Sequence, residues 1–195
     1  MGQPLWSPNN VRRESTNLWA FAEQVGVSLR NESYQDLHRW SIQSSGEFWR
    51  AVWNFAAGIG DLGDIDLEKG DGPESRFFPN ASFNLAENYL KRSDDAVAIN
   101  YRGENVVERN LTFGQLRTEV GRVQLALRSE GVRPGDRVAT LLPNGPEAVI
   151  VFLAAASIGA IYSSTSPDFG ADGVLDRFGQ LEPKVLVATD SYFYS

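Results

Sequence analysis

The stretch GVRPGDRVATLLPNGPEAVIVFLAAASIGAIYSSTSP, residues 131–167, decides the fold. Its segment at residues 136–142 predicts a buried strand. The long apolar segment that follows predicts a buried helix, which ends at Gly159. Residues 161–163 then predict a second short strand. A strand, a helix and a strand in this order predict a parallel sheet, because parallel neighbours require a crossover connection.

Cap signals predict where two helices of this half begin. Asn144 and Glu147 predict the start of the helix within this stretch, and Pro146 is tolerated in its first turn. Thr112 and Gln115 have the spacing of a capping box and predict an earlier helix. The apolar residues of that earlier helix recur on one face and are Leu116, Val120, Val123 and Leu127.

A third helix and a third strand complete the pattern. Ser166 followed by Pro167 predicts the helix start, and residues 184–188 predict the strand. The order α-β-α-β-α-β predicts an α/β fold with βαβ layers around a parallel sheet. Ligands bind beyond the carboxyl ends of the strands in such sheets, here at residues 143–145 and 164–168. Both segments are small and polar, and plain helix capping is the alternative explanation for them.

Residues 1–75 differ in composition from the rest of the chain. All five tryptophans lie in this part, and we expect its aromatic residues to pack onto a neighbouring domain. Ser44 and Glu47 predict a capped helix, and residues 58–75 are rich in glycine and acids and predict a loop. We therefore predict a helical N-terminal segment with an acidic loop, followed by an α/β domain over residues 76–195. The apolar stripe of the capped helix is Phe48, Trp49, Val52, Trp53 and Ala56.

The composition is that of an ordinary globular protein with an acidic balance. The chain has 195 residues and a formal net charge of −7, which disfavours nucleic acid and anionic membranes as partners. It has no cysteine, which excludes disulfides and thiolate metal sites, and the single histidine, His38, excludes multi-histidine sites. Neither a secretory signal nor a membrane span is recognisable, so we expect a soluble cytoplasmic protein.

Two local motifs are chance matches in their context. GIGDLG at residues 58–63 fits the GxGxxG dinucleotide pattern, but a predicted helix precedes it where the pattern requires a strand. Asp64, Asp66 and Glu68 resemble the start of a calcium loop, but Lys69 stands where such a loop requires glycine. Neither motif predicts a ligand, and we expect no metal site in the chain.

Several segments resemble, in order, the opening of acyl-CoA synthetases of the adenylate-forming superfamily. They are LWSP at 5–8, RWSIQSSGEFW at 39–49, FFPNASFNLAENYL at 77–90, LTFGQL at 111–116 and GVRPGDRVATLLPN at 131–144. The segment SSTSPDFGADGVLDRFGQLEPKVLV at 163–187 resembles the acetoacetyl-CoA synthetases of that family more than its acetyl- or propionyl-CoA synthetases. The resemblance implies that the chain is the first, incomplete part of the large N-terminal adenylation domain.

This resemblance implies a two-step reaction in a complete enzyme. ATP and Mg²⁺ convert the carboxylate of acetoacetate into an acyl-adenylate, and the thiol of CoA then displaces AMP to give the thioester. The family's phosphate loop, rich in Ser, Thr and Gly with a Lys, does not occur before Ser195. We therefore expect no catalytic residue in this chain and no activity of the chain alone, and assign ATP, Mg²⁺ and CoA to the complete enzyme.

One segment inside the chain is implied to contact CoA. In acetyl-CoA synthetases, the loop after the strand that matches residues 161–163 carries a Gly-Gly pair near the adenine of CoA. Pro167 and Asp168 align with that pair, and Asp168 repels the phosphates of CoA unless it faces the adenine amino group. The hypothesis is that Ser166, Pro167 and Asp168 bind CoA.

Two other functions remain open from the sequence. The chain is alternatively a non-catalytic α/β interaction module whose Trp-rich helices form a docking surface. It also fits a ligase for another short-chain acid such as acetate, because the acid-pocket residues are expected downstream of Ser195. The sequence predicts no oligomeric state.

Overall fold

The structure is a computed structural model that describes residues 5–29, 34–103 and 108–192. Its contacts divide the chain into two compact units, Met1–Phe83 and Asn84–Ser195. The division predicted from the sequence, at residue 75, concerns the domains of a complete protein and stays a prediction.

The first unit is mostly helical. In chain order its elements are α1 (Asn10–Glu14), α2 (Asn17–Gln24), α3 (Tyr34–Gln43), α4 (Ser45–Phe55), β1 (Leu67–Glu68), a 3-10 helix (Gly72–Glu74) and β2 (Arg76–Phe77). The Trp-rich segment is thus helical, as the sequence predicted.

An aromatic core holds the helices of this unit together. Phe21 of α2 packs edge-on against Phe48 and Phe55 of α4, with ring centres 5.7 and 5.4 Å apart. Trp40 of α3 packs against Phe48, with ring centres 5.4 Å apart. Trp19 of α2 is buried in the same core. Trp19 and Trp40 therefore stabilise their own unit by packing in this core.

The apolar stripe predicted for α4 is only partly buried. Phe48 and Val52 contact the aromatic core together with Ala51 and Phe55, whereas Trp49 is 48% exposed. The four core residues follow the i, i+3, i+4, i+7 spacing of one helical face. Trp49 lies beside that face and lines a groove together with Val52, Trp53 and Ala56 of the predicted stripe.

The acidic segment after α4 contains regular structure. β1 pairs with β2 in antiparallel register, so the loop predicted over residues 58–75 is interrupted by a strand. Arg50 of α4 forms an ion pair with Asp66 and donates to the carbonyl oxygen of Gly63 at 2.7 Å. Asp66 therefore anchors this segment to α4.

The second unit contains the predicted alternation of helices and strands. β3 pairs with β4 in antiparallel register. The elements are α5 (Leu85–Tyr89), β3 (Val97–Arg102), β4 (Glu108–Thr112), α6 (Phe113–Ser129), β5 (Arg137–Leu141), α7 (Pro146–Ile158), β6 (Ile161–Thr165), α8 (Ala171–Gly179) and β7 (Val185–Ala188).

β5 is the central strand of a three-stranded parallel sheet, in the order β6-β5-β7. Val138 lies opposite Tyr162 of β6 and Val185 of β7. Val138, Ala139 and Thr140 are all 0% exposed. The predicted α/β fold with a parallel sheet is confirmed.

Helices α6 and α7 pack together against this sheet. Gln124 Nε2 of α6 donates to Ser157 Oγ of α7 at 2.8 Å. The predicted capping box of Thr112 and Gln115 is present at the start of α6. Gly159 ends α7 with a φ of +79°, a left-handed conformation that glycine adopts without a steric penalty. The buried residues that α6 and α7 contribute to the core include Leu116, Val120, Leu127, Ile150, Val151, Leu153 and Ile158.

One predicted cap lies at another residue, and at the other, Ser44, the position is correct but the capping box is absent. Gly145, not Asn144, is the N-cap of α7. Pro146 at the first helical position favours an extended backbone in the residue before it, so the cap falls one residue later. Ser44 makes no side-chain cap bond to α4. Its N–H donates to the carbonyl oxygen of Trp40 at 2.8 Å, so its backbone completes the last turn of α3.

Within the described ranges, every helix is too short or too polar to cross a membrane.

The packing of α7 predicts the effect of removing a core side chain. Leu153 is 2% exposed, whereas Val149 on the same helix is 38% exposed. Leu153→Ala is expected to lower the free energy of unfolding by roughly 2–5 kcal/mol, because it leaves a cavity in the core. Val149→Ala, the matched control, is expected to change it by about 0.5 kcal/mol or less. Urea denaturation measures both, and equal losses would contradict the placement of Leu153 in the core.

Candidate functional site

Three loops meet at the carboxyl edge of the parallel sheet. Residues 142–145 follow β5, residues 166–170 follow β6 and residues 189–192 follow β7. Because the three strands run parallel, these loops leave the sheet at the same edge. The sequence predicted that ligands bind at the first two of these loops.

In the loop after β6, Asp168 is held at both carboxylate oxygens. Ser166 Oγ donates to Asp168 Oδ2 at 2.8 Å, and the N–H of Asp168 donates back to Ser166 Oγ at 3.2 Å. The hydroxyl of Tyr192 donates to Asp168 Oδ1 at 2.6 Å. The hydrogen bonds from Tyr192 and then from Ser166 hold the pKa of Asp168 below its ordinary value. The loop therefore presents an oriented negative charge at neutral pH.

This loop is a turn and not the start of a helix. The N–H of Phe169 donates to the carbonyl oxygen of Ser166 at 3.3 Å, and Gly170 is the N-cap of α8. The helix predicted to start at Ser166 and Pro167 instead starts at Ala171. The Ser166 hydroxyl binds the backbone two residues on, and such local bonds stabilise turns in competition with helix. The prediction of the helix start was wrong for this reason.

The loop after β7 is tied to the central strand. The N–H of Thr189 donates to the carbonyl oxygen of Leu141 at 3.0 Å, which extends the pairing of β7 with β5 by one residue. The Thr189 hydroxyl donates to the carbonyl oxygen of Ser191 at 2.6 Å. These bonds fix the backbone next to Tyr192, whose hydroxyl contacts Asp168. The loops after the two outer strands are thus joined at the edge of the sheet.

A cavity of about 580 Å³ opens beside the carboxyl ends of β5 and β7. Three of its lining residues are acidic, Glu119, Glu147 and Asp190, and one is basic, Arg109, which pairs with Glu147. This excess of negative charge disfavours phosphate groups, and the apolar floor favours an apolar group. The floor is lined by Val123, Leu142, Ile150, Val151 and Val187.

The residues that the sequence weighed as metal ligands belong to the first unit. His38 is exposed on α3 and stacks near Tyr34, with ring centres 6.3 Å apart. Asp66 is engaged by Arg50. Over residues 5–29, 34–103 and 108–192, no three His, Asp or Glu side chains are grouped so that they could hold a metal ion. The expectation that the chain binds no metal stays a prediction.

An aromatic groove of about 470 Å³ lies in the first unit. Its lining residues have no ionisable side chain, so the groove has no group for acid–base or phosphate chemistry. It fits the shape of a docking surface, the alternative considered for the Trp-rich segment. The lining residues are Trp49, Val52, Trp53, Ala56, Phe77 and Phe78.

Sequence reasoning missed Tyr192 as a residue of the sheet edge. It lies 24 residues after Asp168, so no local spacing connects the two. The available signal was topological, because both residues follow strands predicted to be parallel and to end at the same edge.

The chain matches the family model "AMP-binding enzyme" over residues 86–193. It is similar to the acetoacetyl-coenzyme A synthetase of Rhizobium meliloti, with 43% identity over 99% of this chain and 30% of the relative. It is also similar to the acetoacetyl-CoA synthetase of Macaca fascicularis, with 40% identity over 99% of this chain and 30% of the relative.

A solved structure shows the same fold. The acetoacetyl-CoA synthetase from Streptomyces lividans is 38% identical and superposes with a TM-score of 0.86, covering 99% of this chain and 31% of that one. The chain therefore spans about 30% of the length of the curated relatives it matches.

The contacts of Asp168 predict how its titration responds to a lost donor. Ser166→Ala is expected to raise the pKa of Asp168, which stays below the ordinary value because Tyr192 still donates. Because the folded-state pKa is depressed, the two hydrogen bonds stabilise the fold above the ordinary pKa of Asp. Their contribution is lost as the pH falls through the folded-state pKa.

Carboxyl ¹³C NMR titration of Asp168 in the chain tests this expectation. Ser164→Ala, which removes a hydroxyl from β6 itself, is the matched control. An Asp168 pKa that is the same in Ser166→Ala and in the unsubstituted chain would contradict the geometry of the turn.

Proposed function

Because the chain belongs to the AMP-binding enzyme family, we propose that it forms part of an acid–CoA ligase that joins acetoacetate to CoA. The observation that carries this proposal is the extent of the similarity. The likeness to acetoacetyl-CoA synthetases runs through the Trp-rich first unit as well as through residues 86–193. A ligase of this type accounts for both parts of the chain.

The chain's own part in this ligase is the binding of CoA at the carboxyl edge of the sheet. We assign Ser166, Pro167 and Asp168 to this role. The loop after β6 supports the assignment because Asp168 is exposed and both of its carboxylate oxygens are oriented by hydrogen bonds. Pro167 restricts the backbone between the two polar residues, so little conformational entropy is lost when a ligand binds.

The chemistry of this loop fits the adenine of CoA and not its phosphates. The Asp168 carboxylate accepts hydrogen bonds, and the exocyclic amino group of adenine donates them. A phosphate near the same carboxylate is repelled, because both groups are negatively charged. The adenine amino group is therefore the part of CoA that this loop is expected to contact.

The cavity at this edge of the sheet does not fit the phosphates of ATP. The cavity beside β5 and β7 has three acidic residues against one arginine, which is opposite to the charge that a phosphate requires. We assign no step of adenylation to this chain. The chain alone is expected to form neither an acyl-adenylate nor a thioester, and exchange of ³²P-diphosphate into ATP with acetoacetate above background would contradict this.

The acid itself is proposed from the names of the relatives. A ligase for another short-chain acid such as acetate is the alternative, and activity measured on a panel of acids separates the two. The cytoplasmic location expected from the sequence stays a prediction.

Replacement of Asp168 tests the assignment of the CoA site. In the complete ligase that carries this chain, Asp168→Ala is expected to raise the KM for CoA roughly tenfold, because a hydrogen bond to a charged group is lost. The KM values for ATP and acetoacetate are expected to stay unchanged. Deamino-CoA, in which a carbonyl replaces the adenine amino group, is expected to be a poor substrate of the unsubstituted ligase and to be affected little by the substitution.

Asp172→Ala is the matched control, because Asp172 is an exposed carboxylate in the first turn of the neighbouring α8. It is expected to leave the KM for CoA unchanged. If Asp168→Ala behaves like this control, the loop after β6 does not contact CoA and the assignment fails.

A further inference from the structure

We propose that Tyr192 is a positioning residue for CoA, because its hydroxyl holds the Asp168 carboxylate in the orientation that receives the adenine amino group. This inference rests on the proposed function, in which Asp168 contacts CoA. Tyr192 donates to Asp168 Oδ1 at 2.6 Å, from a loop that follows a different strand. The affinity of the loop after β6 is thus set in part by the loop after β7.

The hydrogen bonds of Asp168 fix the direction of its carboxylate. Ser166 belongs to the same turn and donates to Oδ2, so by itself it holds the carboxylate only relative to a short exposed loop. Tyr192 donates to the other oxygen from outside that turn. Two donors on opposite oxygens restrict rotation of the carboxylate, and this lowers the entropy lost when a ligand binds to it.

Tyr192 is itself connected to the buried central strand of the sheet. The N–H of Thr189 donates to the carbonyl oxygen of Leu141, the last residue of β5, at 3.0 Å. The Thr189 hydroxyl then donates to the carbonyl oxygen of Ser191 at 2.6 Å, next to Tyr192. Three hydrogen bonds and the short backbone segment 189–192 therefore connect the central strand to Asp168. The contact from Tyr192 therefore restricts the motion of the exposed turn relative to the sheet.

The charge state of Asp168 supports the same role. The hydrogen bond from Tyr192 is the larger of the two that keep the pKa of Asp168 below its ordinary value. A carboxylate that stays ionised is a stronger acceptor for an amino donor than a protonated one.

An alternative role of the tyrosine is to stack its ring on the adenine, and the two roles differ in their prediction for Tyr192→Phe. Tyr192→Phe keeps the ring and removes the hydroxyl, whereas Tyr192→Leu removes both. In the complete ligase, we expect Tyr192→Phe to raise the KM for CoA roughly fivefold with kcat unchanged. Tyr192→Leu is expected to have the same effect. If Tyr192→Phe leaves the KM for CoA unchanged and Tyr192→Leu raises it, the residue acts by stacking and the inference is overturned.

A double-mutant cycle with Asp168→Ala separates this inference from the proposed function. Because Tyr192 acts through Asp168, Tyr192→Phe is expected to have no further effect on the KM for CoA once Asp168→Ala is present. An equal effect of Tyr192→Phe in both backgrounds would overturn the inference. If Asp168→Ala alone leaves the KM for CoA unchanged, the proposed contact with CoA is wrong. If Asp168→Ala raises the KM for CoA while Tyr192→Phe leaves it unchanged, only the inference fails.

Discussion

The pairing of β5 with a parallel strand on each side is the constraint on which the second unit depends. Its backbone is hydrogen-bonded to β6 and β7, and the side chains of Val138, Ala139 and Thr140 are fully buried. A strand that is buried on both faces and paired on both edges leaves its neighbours little freedom in register, because a slip would expose apolar side chains. The two outer strands therefore end at fixed positions, and the loops that follow them are brought to one edge.

The candidate site follows from this arrangement with few additional contacts. One bond from Thr189 extends the ladder beyond β7, and one bond from Tyr192 reaches across to Asp168. The exposed turn after β6 is thereby held by the sheet as well as by its own Ser166. The electrostatics then decide the ligand group, since a lone oriented carboxylate attracts an amino donor and repels phosphate. The proposed contact with the adenine of CoA is the outcome of geometry and charge together.

The parts of the fold that the sequence predicted correctly are those that carry a local signal. The capping box of Thr112 and Gln115 and the left-handed Gly159 each depend on residues within a few positions of one another. The predicted helix start at Ser166 failed because the same serine also stabilises a turn, and the local sequence does not decide between the two. Tyr192 could not be found locally at all, because its partner lies on a different strand and only the assembled sheet brings the two together.

The first unit illustrates the same limit. The spacing of apolar residues in α4 identified a helix with a buried side, but the position of that side depends on where α2 and α3 pack. Trp49 therefore fell outside the core although it belongs to the same run of apolar residues. Periodicity predicts that a helix has an apolar face, whereas the partners that cover the face determine which residues are buried.

The central claim is that the loops after β6 and β7 act as one CoA-binding edge anchored on β5. Amide hydrogen exchange of the complete ligase, measured with and without saturating CoA, tests it directly. The account predicts slower exchange in residues 166–170 and 189–192 together when CoA is bound, with exchange in β5 unchanged. Bound CoA that leaves both loops exchanging as before, and protects another part of the chain, would contradict it.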